Sequence, residues 1–292
     1  MKIDIIRFTQ DKLLELTKKR FSKSYITKYI LPIIDKIIHS KDNKFLISGS
    51  QGVGKSTLSI LLKIVIEKNY KKKVMLLSID NYYLSKAKRL KLAKKVHPLL
   101  VTRGVPGTHN IKKLYQDINR FNKQKFPISI PHFDKIKDDV TAKKIKISNA
   151  KILLLEGWCC GSLPIKTKYL YKNINQLESN YDQNKVWRKY YNSMLKNEYK
   201  EVFSMFNKKI YMQPPSFKYI IEWRSLQENN NANKSNSKNF MNIDMLKRFI
   251  QHYEKITKWM MKTMPDKVNL LIKIDKNQKI KRLIENNKLK KF

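Results

Sequence analysis

The chain is predicted to be an α/β protein, a three-layer α/β/α sandwich around a mainly parallel sheet with a helical extension at its N-terminus. Three observations carry this. Short apolar runs of strand length alternate with segments of helical periodicity. A glycine-rich turn follows the first of those runs and opens an apolar helix. Three of the runs, Ile152–Leu155, the one ending at Ile79 and the one ending at Ile274, are followed at once by an acid. Strands separated by helices call for a parallel sheet covered on both faces.

The elements follow in order. Leu13, Leu14, Leu16 and Phe21, then Tyr25, Ile26, Tyr29, Ile30, Ile33, Ile34 and Ile37, recur at three- and four-residue steps, so residues 8–38 read as helical. Pro32 interrupts or kinks the second segment, because it lacks an N–H and clashes with the preceding turn. Phe45–Ser48 is the first strand, and Leu58–Ile66 lies on the helix after the glycine-rich turn. Further strands are expected at Val74–Ile79, Ile128–Ile130, Ile152–Leu155, Ile210–Met212 and Val268–Ile274. Helical patterns fall at 110–124, 183–206, 216–229 and 243–263. The polar run E-N-N-N-A-N-K-S-N-S-K at 228–238 predicts a flexible surface loop. The organisation expected is an N-terminal helical extension (1–40), one domain (41–280) with lid or substrate helices at 183–228, and a basic tail (281–292) that frays.

Composition narrows the class. The chain has 292 residues, 41% of them apolar, which is enough for a sizeable core and excludes wholesale disorder. Its apolar runs are too short to span a membrane. The N-terminus has no apolar core of a secretory signal, and the two cysteines, Cys159 and Cys160, are adjacent, so neither a zinc spacing nor a disulfide framework is present. A cytoplasmic protein is expected. The net charge of +40 points at first to a nucleic acid. However, the cations are 54 Lys against 9 Arg, spread along the whole chain, with 25 Asn and only 7 Gly. That skew reads as compositional drift, since a phosphate-binding surface favours clustered Arg. Neither nucleic acid nor membrane is the expected partner, and nothing in the sequence sets the oligomeric state.

Residues 49–56 read G-S-Q-G-V-G-K-S, which fits G-x-x-x-x-G-K-[ST] with a strand before it and a helix after it. Glycines let successive N–H groups turn inward around a phosphate chain, and the helix N-terminus adds its positive end. Gly49, Ser50, Gln51, Gly52, Val53, Gly54, Lys55, Ser56 and Thr57 are therefore the expected nucleotide-binding residues. Lys55 would reach the β- and γ-phosphates and Ser56 would take a position on Mg²⁺. In a sheet of this kind ligands sit outside the carboxyl ends of the strands. That places Asp80, after the second strand, beside the γ-phosphate region. A carboxylate there accepts a proton from an attacking hydroxyl or holds the metal through water, and the plainer alternative is a helix N-cap. Glu156, ending the most apolar run, is the second acid expected near Mg²⁺. The segment Arg103-Gly104-Val105-Pro106-Gly107-Thr108-His109-Asn110 is a stiff loop presenting one Arg and one His, and Lys135 of Pro131–Lys135 can face the same cleft.

Together these segments resemble the D-glycerate 3-kinase family, within the uridine kinase, phosphoribulokinase and pantothenate kinase group of P-loop kinases. The resemblance runs from about Phe45 to Asp275. It rests on G-S-Q-G-V-G-K-S-T (49–57), S-I-D-N-Y-Y-L (78–84), R-G-V-P-G-T-H-N (103–110), P-H-F-D-K (131–135), E-G-W-C-C-G (156–161), W-R (187–188), W-R-S-L-Q-E (223–228) and H-Y-E-K-I-T (252–257). It implies ATP- and Mg²⁺-dependent phosphorylation of a small hydroxy acid, D-glycerate giving 3-phosphoglycerate. By position Asp80 resembles the catalytic base, Lys55, Ser56 and Glu156 the phosphate and metal residues, Arg103 and His109 the acceptor loop, and Arg224 a lid residue on the phosphates. Tyr82 is a further candidate against the acceptor. The chain departs from the family pattern at Asn81, Asn110 and Val140, where charged residues are usual. Uridine, pantothenate and sugar-phosphate acceptors stay open, as does a nucleic-acid-associated P-loop ATPase.

Overall fold

The computed structural model describes residues 2–232, 243–286 and 289. Among them lies a six-stranded sheet made from β1 (Lys44–Gly49), β2 (Val74–Ser78), β5 (Ile152–Gly157), β6 (Lys208–Gln213), β7 (Leu270–Ile274) and β8 (Ile280–Glu285), with β3 (Ile128–Asp134) and β4 (Asp139–Ile147) forming a separate hairpin. The strand order is β2-β5-β1-β6-β7-β8, parallel except for β8. Strands β1, β5 and β6 are apolar and buried on both faces, as a sheet sandwiched by helices requires.

Two apolar clusters fill the space on either side. One packs the N-terminal helices and the helix Lys55–Tyr70 against Phe45, Ile47, Leu154 and Ile272. The other packs Leu46, Leu153 and Leu155 against the helices Ile111–Asn122, Val186–Lys196, Glu198–Ser204 and Ile243–Thr263. The three-layer architecture is therefore as expected. Pro32 leaves a local distortion: five residues of π-helix, Ile26–Ile30, precede the helix Leu31–Ile38 that contains it.

Three expectations are corrected. The third apolar run, at 128–130, joins no parallel sheet but pairs antiparallel with β4. The start of the basic tail is ordered: residues 280–285 pair antiparallel with β7 and close the sheet edge. Their outward Lys281 and Arg282 mask the strand pattern and blunt the edge against further pairing. Residues 228–232 of the expected loop continue the helix Phe217–Ala232, and 233–238 lie outside the described residues. Within the expected lid or substrate helices at 183–228, Trp187, Tyr191, Leu195 and Tyr199 are buried in the core. No described helix is long and apolar enough to cross a membrane.

Candidate functional site

Three neighbouring strands, β2, β5 and β1, end side by side, and each delivers one part of a cleft. After β1 the chain turns through the glycine loop into Lys55–Tyr70. Gly52 and Gly54 have φ of +75° and +95°, values that side chains rarely tolerate. Gly52 is needed twice, because a Cβ there would lie 2.8 Å from Trp223 Cβ. Lys55 folds back over the loop, and its Nζ donates to the Ser50 carbonyl at 2.8 Å. The Ser50 hydroxyl is buried without a partner inside the loop.

Glu156 ends β5 and is 6% exposed. The Ser56 hydroxyl donates to its Oε1 at 3.2 Å. Burial raises the Glu156 carboxyl pKa, against the pull of the Lys55 charge. Burial likewise lowers the Lys55 pKa, against Glu156 and Asp80. A hydroxyl and two carboxylates are hard oxygen donors, the set Mg²⁺ uses when substrate phosphates supply the remaining positions. No cluster of three or more His, Cys, Asp or Glu among the described residues could hold a metal ion by itself.

Asp80 follows β2 on a short 3₁₀ turn, Ile79–Tyr82. Its Oδ1 accepts from the Tyr83 hydroxyl at 3.0 Å and its Oδ2 from Lys135 Nζ at 2.6 Å. Burial alone would raise this carboxyl, but the Lys135 ammonium, His109 and Tyr83 outweigh it and hold the pKa at about 2. Asp80 is thus ionised throughout the physiological range.

His109 stacks on Tyr83, with ring centroids 4.5 Å apart. Its Nδ1 meets the Tyr199 hydroxyl at 2.7 Å, and that oxygen also accepts from the Gly107 N–H at 2.9 Å. The arrangement that satisfies all three has Tyr199 donating to Nδ1, which leaves the ring proton on Nε2. Nε2 is buried without a partner. Burial pushes the His109 pKa down to about 4, so the ring is a neutral donor, and Asp80 acts on it as a nearby charge.

Arg103 is mostly committed to structure. It donates to Asp138, and its Nη2 reaches the Lys135 carbonyl at 3.4 Å. Asp138 is shared: Arg89, 1% exposed, binds its Oδ2 at 2.9 Å. The Tyr253 hydroxyl donates to the Arg103 carbonyl at 2.8 Å. Arg224 stands on Phe217–Ala232, near enough to act electrostatically on Tyr253, with Trp223 packed on Gly52.

The structure thus brings Lys55, Ser56, Asp80, His109, Lys135 and Glu156 to one end of the sheet. Tyr82 does not join them. It is 1% exposed and donates to the buried Asp117 at 2.9 Å, so it anchors the core and Tyr83 faces the cleft instead. Tyr199 carries no local sequence signal, and neither its contact nor that of Tyr253 is visible from helical spacing. Two departures from the family pattern fall away from the carboxylates. Asn110 is the N-cap of Ile111–Asn122, its side chain accepting from the Lys113 N–H at 3.2 Å, and Val140 is an exposed position of β4.

No family model matches the sequence. The chain is 28% identical over 263 residues to the "Uncharacterized kinase mug58" of Schizosaccharomyces pombe, covering 85% of this chain and 92% of that protein. It is 35% identical over 162 residues to the "Probable ATP-dependent kinase TDA10" of Saccharomyces cerevisiae, covering 48% and 56%. Among solved structures, a D-glycerate 3-kinase from Cryptococcus neoformans var. grubii superposes with a TM-score of 0.73 at 20% identity, over 96% of this chain and 99% of that one. The fold is that of the P-loop kinases, the similar sequences are kinases, and the structural likeness to that one D-glycerate 3-kinase extends over 96% of this chain.

Proposed function

We propose that the chain is an ATP-dependent kinase that transfers the γ-phosphoryl group to a hydroxyl of D-glycerate, giving 3-phosphoglycerate. The observation that carries this is the ring of His109, Tyr83 and Lys135 around Asp80, beside the glycine loop. It joins a proton acceptor to a neutral donor and a cation, the set a small hydroxy acid requires. The narrow motif R-G-V-P-G-T-H and the D-glycerate 3-kinase among the structural neighbours support this acceptor over others.

In this reading Asp80 accepts the proton of the attacking hydroxyl as that oxygen bonds to the γ-phosphorus and the bond to the β-phosphate oxygen breaks, releasing ADP. Lys55 leaves the Ser50 carbonyl for the phosphates. The loop N–H groups spread the developing charge. Ser56 and Glu156 would hold Mg²⁺, which would neutralise phosphate charge when bound. The His109 Nε2 proton is offered to an acceptor oxygen. Lys135 leaves Asp80 to pair with the acceptor carboxylate, together with the Arg103 N–H groups that Asp138 does not take. Phe217–Ala232, with Arg224, covers the loop and keeps water from the phosphates.

The test is ADP release measured with glycerate, uridine, pantothenate and ribulose 5-phosphate in turn, and with nucleic acid and no acceptor. Release that depends on glycerate is expected. Release driven by another acceptor would replace the substrate, and release driven only by nucleic acid would replace the reaction.

A further inference from the structure

Three exposed tyrosines gather where four helices adjoin, Thr167–Tyr171, Gln176–Tyr181, Val186–Lys196 and Ile243–Thr263. Tyr169 is 37% exposed, Tyr171 41% and Tyr181 51%. Each ring lies under cations. Lys262 Nζ stands 4.5 Å from the Tyr169 ring centroid and Lys168 Nζ 5.2 Å. Lys189 and Lys185 stand 5.5 and 5.9 Å from that of Tyr171, and the Arg248 guanidinium 4.7 Å from that of Tyr181. Arg248 and Lys262 lie about four turns and about 21 Å apart on one helix, so they share a side of it.

The exposed charge around these rings has one sign. From Leu163 to Lys189 the only acids are Glu178 and Asp182, and both side chains are fully buried. The same stretch exposes Lys166, Lys168, Lys172 and Lys189. On Ile243–Thr263, Asp244 is held by Lys247 at 3.6 Å and Glu254 by Lys258 at 2.6 Å. The face is also braced. Lys255 Nζ donates to the carbonyls of Tyr169 and Lys172 at 3.1 and 2.6 Å. Arg188 Nη1 reaches those of Leu170 and Tyr171 at 3.3 and 3.5 Å. Both cations are anchored on Glu178. This buried ionic cluster pins the short helix Thr167–Tyr171 between its neighbours and fixes the backbone that carries two of the rings. Rings held in place beforehand lower the ordering cost of binding.

Interleaved cations and exposed rings suit a flexible polyanion that carries flat bases. The bases stack on the rings while the cations track the phosphates. A cation that sits over a ring face has only to move aside onto a phosphate. An acidic peptide would use the cations and leave the rings idle. We propose that this face binds single-stranded nucleic acid without base specificity, as a function separate from the phosphate cleft and independent of the kinase reading. The even spread of lysine along the chain gives no reason to expect this partner. The interleaving arises in the fold, where Lys262 comes to Tyr169 from 93 residues away.

The experiment is fluorescence anisotropy of the full chain with a labelled oligouridylate of about 12 nucleotides, with heparin as a polyanion that has no bases. The wild-type chain should bind the strand with an affinity that falls as salt rises. Tyr171→Ala combined with Tyr181→Ala keeps every charge. It should lose about tenfold or more in affinity for the strand and less than about twofold for heparin. Tyr171→Phe with Tyr181→Phe should restore strand affinity to within about threefold of wild type, because phenyl rings still stack. Lys185→Gln with Lys189→Gln should lower the slope of log affinity against log salt by about 1. All three variants should keep the wild-type melting temperature. Absence of strand binding by the wild-type chain would overturn the proposal. So would full strand affinity in the alanine variant, equal loss of strand and heparin affinity, failure of the phenylalanine variant to bind, or an unchanged salt slope in the glutamine variant.

Discussion

Lys135 Nζ lies 2.6 Å from Asp80 Oδ2, so a cation on the β3–β4 hairpin closes on the carboxylate that follows β2. This contact sets the ionisation of the proposed base. The Asp80 pKa of about 2 is the outcome of burial, which raises it, against Lys135 first and His109 and Tyr83 after it. Only the ionised carboxylate can accept a proton, so activity should fall as pH drops through its pKa. Removing Lys135 takes away the largest opposing influence and moves that pKa up. Lys135→Met is therefore expected to shift the acidic limb of the kcat/KM profile toward neutrality by about one pH unit or more. An acidic limb that stays where the wild-type one lies would show that Lys135 does not tune Asp80.

The role proposed for Asp80 has its own test. Asp80→Asn keeps the shape and the bond from Tyr83 but cannot take up a proton. Turnover should fall by about 10²–10⁴-fold, the usual contribution of a positioned base. ATP affinity, measured by calorimetry, should change by less than about threefold, because the loop and Glu156 are untouched. Undiminished turnover would remove Asp80 from the chemistry.

A second charged cluster is structural. Arg188 is fully buried between Glu178 at 3.3 Å and Asp182 at 2.8 Å, and Lys255 stands 3.2 Å from Glu178. It joins the helices Gln176–Tyr181, Val186–Lys196 and Ile243–Thr263. Truncating one partner of a buried ionic cluster leaves the other charges uncompensated. Arg188→Met should lower the unfolding free energy by about 3–5 kcal/mol in urea titrations. A loss under about 1 kcal/mol would mean that water reaches the cluster.

The glycine loop, Asp80 and Glu156 are legible in the sequence because each is marked locally, by spacing or by an acid directly after an apolar run. What the sequence hides is tertiary. Tyr82 ends the 3₁₀ turn and Tyr83 follows it, and nothing in their order says that the first faces Asp117 and the second Asp80. Asp138, which binds both Arg89 and Arg103, lies 35 and more residues from either, at the turn of a hairpin whose strand β4 is mostly exposed. Tyr199 reaches His109 from 90 residues away. The departures at Asn110 and Val140 have the same kind of explanation: a helix cap and an exposed strand position need no charge. The N-terminal extension is legible as helix, whereas its place against the glycine loop is not.

Gly104 gives the sharpest separation between the two halves of the proposed site. Its φ is +129°, and a Cβ there would lie 2.2 Å from the Tyr253 hydroxyl oxygen. That hydroxyl holds the Arg103 carbonyl at 2.8 Å, so the strain of a side chain would fall on the loop carrying Arg103 and His109. The glycine loop follows β1, whereas Gly104 lies before the helix Ile111–Asn122 and Tyr253 on the helix Ile243–Thr263. Gly104→Ala is therefore expected to raise the acceptor KM by about tenfold or more, while the ATP affinity stays within about twofold and the protein remains folded by circular dichroism. Both constants come from one set of initial-rate measurements at varied ATP and acceptor. Equal effects on the two ligands would show that the 103–110 loop serves the whole cleft and not the acceptor side alone.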